Sequence, residues 1–241
     1  MTEAIQQPDF RTVQTAISLT GLVLRGGFHT DPALDKELGD GTLLLIGMVG
    51  GAGWNVFSTA QEARDGLPDP LDRWSKRLIN GLARQFGGRA FYPSDGPPYS
   101  PFQRWAQRAE PVFSSPLGLL IHPVYGLSHS YRGALLLPSL FDLPATAVAT
   151  HPCHSCRTKP CLTACPVSAY SSAGYDLAAC AAHLNSLEQT CRRKGCLARM
   201  SCPVGLDFAQ TPAQIAFHMQ AFYAARAALP ISDRHTHPLA D

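Results

Sequence analysis

The sequence predicts an α+β domain followed by a compact cysteine-rich module and a closing helix. Three observations predict it. Residues 42–49, TLLLIGMV, are a continuous apolar run bounded by glycines, the pattern of a buried strand. Residues 69–86 place Leu71, Trp74, Leu78, Leu82 and Phe86 every three or four residues, the pattern of a helix with one apolar face. All eight cysteines fall between Cys153 and Cys202. The expected boundaries are 1–150 for the α+β domain, 151–210 for the cysteine module, and 211–241 for the helix and a loose tail.

Taken in order, residues 12–25 mix helix formers with apolar residues and give no clear element. The run 42–49 leads into GMVGGAG, a glycine-rich turn. Its spacing is not GxGxxG, so a tight turn is the simpler reading than a phosphate cradle. Asp69 is placed to cap the helix that follows, with Pro70 in its first turn. The proline-rich stretch 92–102 predicts an ordered loop or lid, and 103–109 a short helix. LGLLIHPVYG and YRGALLLP predict two strands joined by a turn at 126–130. Thr211 and Pro212 open a last helix, 211–229, with Ile215, Met219 and Phe222 on one face.

Composition narrows the chemistry. With 241 residues, 45% hydrophobic and 16% charged, the chain is globular rather than disordered. A net charge of +2 argues against nucleic acid or a membrane surface as partner. No apolar run is long enough to cross a bilayer, and MTEAIQQPDFR lacks the features of a signal peptide. The expected location is the cytoplasm. There thiols stay reduced, so clustered cysteines point to metal or redox chemistry rather than disulfides.

The first cysteine set reads C-x2-C-x4-C-x3-C-P (Cys153, Cys156, Cys161, Cys165) and the second C-x10-C-x4-C-x5-C-P (Cys180, Cys191, Cys196, Cys202). Bacterial ferredoxins use a related run in which the cysteine before proline serves the other cluster. Crossed in that way, Cys153, Cys156, Cys161 and Cys202 hold one 4Fe–4S cluster, and Cys165, Cys180, Cys191 and Cys196 hold a second. Two structural zinc sites are the alternative, since zinc also takes four thiolates. Arg192, Arg193 and Lys194 lie between two ligands of the second set. They should favour its reduced form and suit an acidic electron donor, such as a flavodoxin, a ferredoxin or a flavin reductase; a plain solvated turn is the bland reading.

Residues 118–138, GLLIHPVYGLSHSYRGALLLP, resemble the cobalamin-processing (cblC-type) family through Gly118, Ile121, His122, Pro123, Gly126, Arg132, Gly133, Leu136, Leu137 and Pro138. The order of parts, with AEPVFSSPLGLL and YDLAACAAHLN, is also similar to the epoxyqueuosine reductases. These resemblances imply a nitroreductase-like α+β domain that binds cobalamin base-off, followed by a bacterial-type two-cluster ferredoxin module. They imply a corrinoid site at His122, Tyr125, Gly126, Arg132 and Gly133. Tyr99, Phe102 and Trp105 are candidates for a lid over it, with core packing the simpler role. His122 is equally well read as a core histidine, and Arg132 as a structural hydrogen-bond donor.

The expected activity is that of an oxidoreductase, reducing cobalamin and removing its upper ligand. One alternative is a cobalamin-dependent reductase of an organic substrate; another is an electron carrier whose first domain only docks a partner; a flavin in that domain is a further option. The chain departs from both families. Arg108 stands where the reductases carry a catalytic aspartate, and Leu127 and Ser128 replace an aromatic of the cblC type.

Overall fold

The computed structural model describes residues 8–171, 174–186 and 190–227. The expected tail 232–241 lies outside them. The fold mixes helices with antiparallel strands, and the chain divides into two compact units, 1–111 with 129–148 and 112–128 with 149–241. No helix among the described residues is long and apolar enough to cross a membrane.

The first unit is built on an antiparallel sheet. Its elements are α1 (Phe10–Leu19), β1 (Val23–His29), β2 (Thr42–Val49), α2 (Ala52–Thr59), α3 (Pro70–Phe86), β3 (Arg89–Phe91) and α4 (Phe102–Ala109). In the second unit lie β4 (Phe113–Ser114) and β5 (Leu120–Ile121), after which β6 (His129–Leu137) completes the first. The sheet order is β1-β2-β6-β3. Strand β2 lies second in the sheet, and its Leu43, Leu44, Leu45 and Ile46 are fully buried. A strand covered on both faces reads as an unbroken apolar run rather than an alternating one, which is why TLLLIGMV was legible.

Helix α3 packs on β6 and β3, and α4 on β1 and β2. The buried face of α3 is Leu71, Trp74, Ser75, Ile79, Leu82 and Ala83. Leu78 and Phe86, expected on that face, are only half-buried. Asp69 does not cap the helix: its backbone is left-handed (φ 50°) and its side chain makes no cap hydrogen bond. Pro70 alone shapes that start.

Two register shifts bend the sheet, between Leu24 and Gly27 on β1, and opposite Ile46–Gly47, where β6 carries the extra residue, Arg132. Both are bulges, which re-aim side chains locally. Gly47 is required there, because a Cβ would come within 2.1 Å of the Ser130 carbonyl oxygen.

The second unit comprises β4 and β5, then α5 (Pro152–Ser155), α6 (Pro160–Thr163), β7 (Tyr170–Ser171), β8 (Gly174–Tyr175), α7 (Leu177–Asn185), α8 (Thr190–Lys194), α9 (Leu197–Met200) and α10 (Pro212–Ala227). Helix α10 packs on α8 and α7, and Thr211 caps it through the Gln214 amide, 3.2 Å away. The expected hairpin of LGLLIHPVYG with YRGALLLP does not form. Strand β5 pairs with β4, whereas β6 pairs with β2 and β3. The segment 112–128, expected in the first domain, belongs instead to the compact unit that holds the cysteines. The reason is its apolar side: Leu117, Ile121 and Leu127 form a core with Ala198.

Gly47→Ala is expected to lower the urea midpoint of unfolding markedly, by about 1–3 kcal/mol in stability, because the added methyl meets a carbonyl that the sheet holds fixed. An unchanged midpoint would show that β2 and β6 can separate there freely.

Candidate metal centres

The cysteines sit on short elements joined by tight turns. Helix α5 carries Cys153 and ends at Cys156; α6 carries Cys161; Cys165 precedes the Cys-Pro turn. Cys180 lies within α7, Cys191 within α8, Cys196 caps α9, and Cys202 follows it. All eight are free thiols.

Their electrostatics reveal two neighbourhoods. Burial pushes the Cys153 thiol above its ordinary value, and the charges of Cys202, Cys161 and Cys156 push it further. Cys161 is raised by burial, then by Cys202 and Cys156. Cys180 is raised by burial against a hydrogen bond from Tyr175, with Cys196, Cys165 and Cys191 adding to the rise. Cys191 is raised by burial, opposed by the Leu197 amide, and raised again by Cys196 and Cys165. The chain thus brings together Cys153, Cys156, Cys161 and Cys202 in one place, and Cys165, Cys180, Cys191 and Cys196 in another.

Among the described residues, no three histidine, cysteine or carboxylate side chains converge closely enough to hold a single metal ion. A tetrahedral zinc site holds its sulfurs about 2.3 Å from the ion. A cubane spaces its ligand sulfurs farther apart. The donor set fits such a group: four thiols in each place, with backbone amides aimed at sulfur. The Ala169 amide lies 3.3 Å from Cys165 Sγ, and the Leu197 amide reaches Cys191.

The floor beneath both quartets is the segment 112–128. Cys153, Cys161 and Cys202 of one quartet, and Cys165 and Cys196 of the other, pack against its Leu117, Ile121 and Leu127 with Ala198. Three contacts fix it. The Arg199 guanidinium donates to the Leu127 carbonyl through Nε (3.1 Å) and Nη2 (2.6 Å). His151 lies 3.0 Å from the Ser114 carbonyl and stacks on Phe113, and its Nδ1 accepts the Cys153 amide. Gly126, at φ +56°, abuts the Val204 carbonyl so closely that a Cβ would come within 1.9 Å of the oxygen.

The residues expected at a corrinoid are distributed over the two units. In the second, His122 Nδ1 accepts from the Val124 and Tyr125 amides (3.0 and 3.2 Å), and its ring stacks on Tyr125 at 4.2 Å. It organises the 122–126 turn, which Gly126 then seats against the Cys202 loop. In the first unit, Arg132 pairs with Asp72 and donates to Ser75 Oγ at 3.1 Å. Gly133 leaves room for Ile79, whose Cδ1 a Cβ would meet at 2.7 Å. Phe102 and Trp105 are core residues, in contact with each other at 5.0 Å, while Tyr99 is 65% exposed. Each of these side chains apart from Tyr99 has a packing or hydrogen-bonding task, and their geometry defines no reaction step through a corrinoid.

Sequence reasoning missed one buried network. Arg25, on the β1 bulge, pairs with Glu110 at 2.8 Å, and the Tyr131 hydroxyl donates to the same carboxylate. Burial raises Glu110 above the usual carboxylate range, outweighing the pull of Arg25 and the Tyr131 hydrogen bond. Arg108, expected at the aspartate position of the reductases, is tied to Asp35 at 2.6 Å and lies over the Phe28 ring. It is structural.

No protein-family model matches the chain. No curated protein matches it either. Among solved structures it is similar to an epoxyqueuosine reductase from Streptococcus thermophilus, at 16% identity and a TM-score of 0.46. The match covers 83% of this chain and 66% of that one, so the chain spans just under two thirds of that protein's length.

Two outcomes follow. Gly126→Ala should leave the first unit folded yet expose the cysteines, read as faster reaction with a thiol reagent at an unchanged tryptophan signal; equal rates would mean that the Val204 contact is dispensable. Glu110 holds its proton more tightly in the folded chain than in the unfolded one. The stability this contributes is present at low pH and lost as pH rises through its raised value. Glu110→Gln should therefore flatten the fall in urea midpoint just above the ordinary glutamate range, and a retained slope would assign it to another group.

Proposed function

We propose that the protein is an iron–sulfur oxidoreductase holding two 4Fe–4S clusters, one on Cys153, Cys156, Cys161 and Cys202 and one on Cys165, Cys180, Cys191 and Cys196. The grouping of the eight thiols into two sets of neighbours that act on one another's charge supports the reading. Such clusters supply one-electron chemistry at low potential. The chain's part is to supply thiolates, aim amides at them and floor them with apolar side chains. The exposed basic turn at Arg193 and Lys194 is the docking point for an acidic electron donor of the flavodoxin or ferredoxin kind.

For the electron acceptor, the resemblance of residues 118–138 supports a corrinoid. Of the two corrinoid readings, reduction of an organic substrate is favoured over processing of cobalamin itself. The observation favouring it is Glu110, a buried carboxyl that burial keeps protonated at higher pH than usual and that lies two residues from the place where Arg108 replaces an acid. A reduction that delivers hydrogen needs a proton source, whereas removal of an upper ligand by electrons alone does not.

Anaerobic reconstitution with iron and sulfide should give a brown protein with two cubanes' worth of iron and acid-labile sulfide, and Cys161→Ser or Cys180→Ser should each lose about half of it. A colourless protein that retains zinc would sink the proposal. Adding cob(II)alamin to the loaded protein should shift the corrin absorption. No shift would remove the corrinoid and leave an electron carrier.

A further inference from the structure

Resting on the two-cluster reading, we propose that Tyr175 and Arg199 raise the reduction potential of the second centre above that of the first, so that an electron entering the chain comes to rest on the second quartet. The two centres have different surroundings. Tyr175 on β8 pairs in register with Tyr170 on β7, and their rings stack at 4.7 Å and 11°. Tyr170, Cys165 and Cys196 all pack against the core of Leu117, Ile121, Leu127 and Ala198. This stack holds the Tyr175 hydroxyl at Cys180, to which it hydrogen-bonds. Once Cys180 ligates iron its sulfur is a thiolate, which only accepts, so the phenol donates. Arg199 approaches the same quartet from α9, close enough to feel the charge of Cys196, with its head fixed on the Leu127 carbonyl. Among the described residues it has no carboxylate partner that would cancel its charge.

Every sulfur of the second quartet therefore has its own polar neighbour: the Ala169 amide at Cys165, the Tyr175 hydroxyl at Cys180, the Leu197 amide at Cys191 and the Arg199 guanidinium near Cys196. In the first quartet, the backbone amides of Cys161 and Leu162 serve Cys161, and Lys159 acts on Cys153. Lys159 is exposed, so water and salt screen it, while Arg199 is part-buried and screened less. Burial itself disfavours an added negative charge and opposes the effect. It also strengthens each hydrogen bond and charge in contact with sulfur, and Tyr175 and Arg199 supply one of each to the second quartet.

The transfer balances simply. One electron leaves the first centre and reduces the second; no bond forms or breaks, and Tyr175 keeps its proton. The only co-reactant is an outside one-electron reductant, a low-potential protein donor in the cell and dithionite in the test.

The test is a redox titration of the full chain, loaded anaerobically and followed by visible absorption and electron paramagnetic resonance. The wild-type chain should show two midpoints. Tyr175→Phe should weaken the electron affinity of the higher one about tenfold, about 59 mV for one electron, and leave the lower in place. Arg199→Gln should move the same midpoint in the same direction, and Arg199→Lys less. Tyr170→Phe removes a competing neighbour of the Tyr175 hydroxyl and should not lower it. If Tyr175→Phe fails to retain iron, Arg199→Gln decides. Variants with full iron and both midpoints unmoved, or with only the lower one moved, overturn the proposal. A wild-type chain that takes up no iron fails earlier and overturns the two-cluster reading itself.

Discussion

Bringing four sulfur ligands together, twice, in one small unit is the constraint on which the rest of that unit depends. Burial makes Cys153, Cys161, Cys180 and Cys191 harder to ionise, and each neighbouring thiol that ionises makes them harder still. Without a cation the quartets oppose their own assembly; with one, the thiols give up protons and the repulsion becomes attraction. The apolar side chains buried around them among the described residues include Leu117, Ile121, Leu127, Leu177 and Leu184, a modest core. On the proposed reading, folding of this unit and capture of its clusters are one process, and the stretch 112–128 is the apolar floor of both.

That stretch explains the unusual course of the chain. It leaves the first unit after Pro111 and returns at His129. At the point of departure stands Glu110 and at the return Tyr131, joined to each other and to Arg25. The clasp closes the base of the excursion inside the first unit's sheet. Removing one partner would leave a buried charge uncompensated, which costs more than the pair itself contributes. The bulges on β1 and β6 adjoin it, and Gly26 and Gly47 lie against the Ala109 and Ser130 carbonyls where no Cβ fits.

What the sequence made legible follows from distance along the chain. The strand 42–49, the helix 70–86 and the closing helix carry their signals locally, in periodicity and in Pro70 and Pro212. Strand β1 was missed because Gly26 and Gly27 interrupt its apolar pattern at the bulge. The cysteine spacing was legible because its chemistry demands four ligands per site and the Cys-Pro junctions mark the ends of the loops. The clasp was not, because Arg25 and Glu110 are 85 residues apart and neither carries a motif. The run 118–138 misled most. It reads as one hairpin, yet Gly126 turns it against Val204 and Gly205, and the two halves serve different units.

The same run shows how much function a resemblance can carry. His122 orders a turn, Gly126 and Gly133 make room for a neighbour, Arg132 answers Asp72, and Phe102 and Trp105 fill a core. A residue with a packing task is explained by shared architecture before any shared ligand is invoked. Of the eight side chains first assigned to a corrinoid, Tyr99 alone is largely exposed, in a loop where its ring covers Gly96. The proposed metal chemistry rests instead on eight free thiols, five of them packed on one leucine-rich floor, with backbone amides at Cys165 and Cys191.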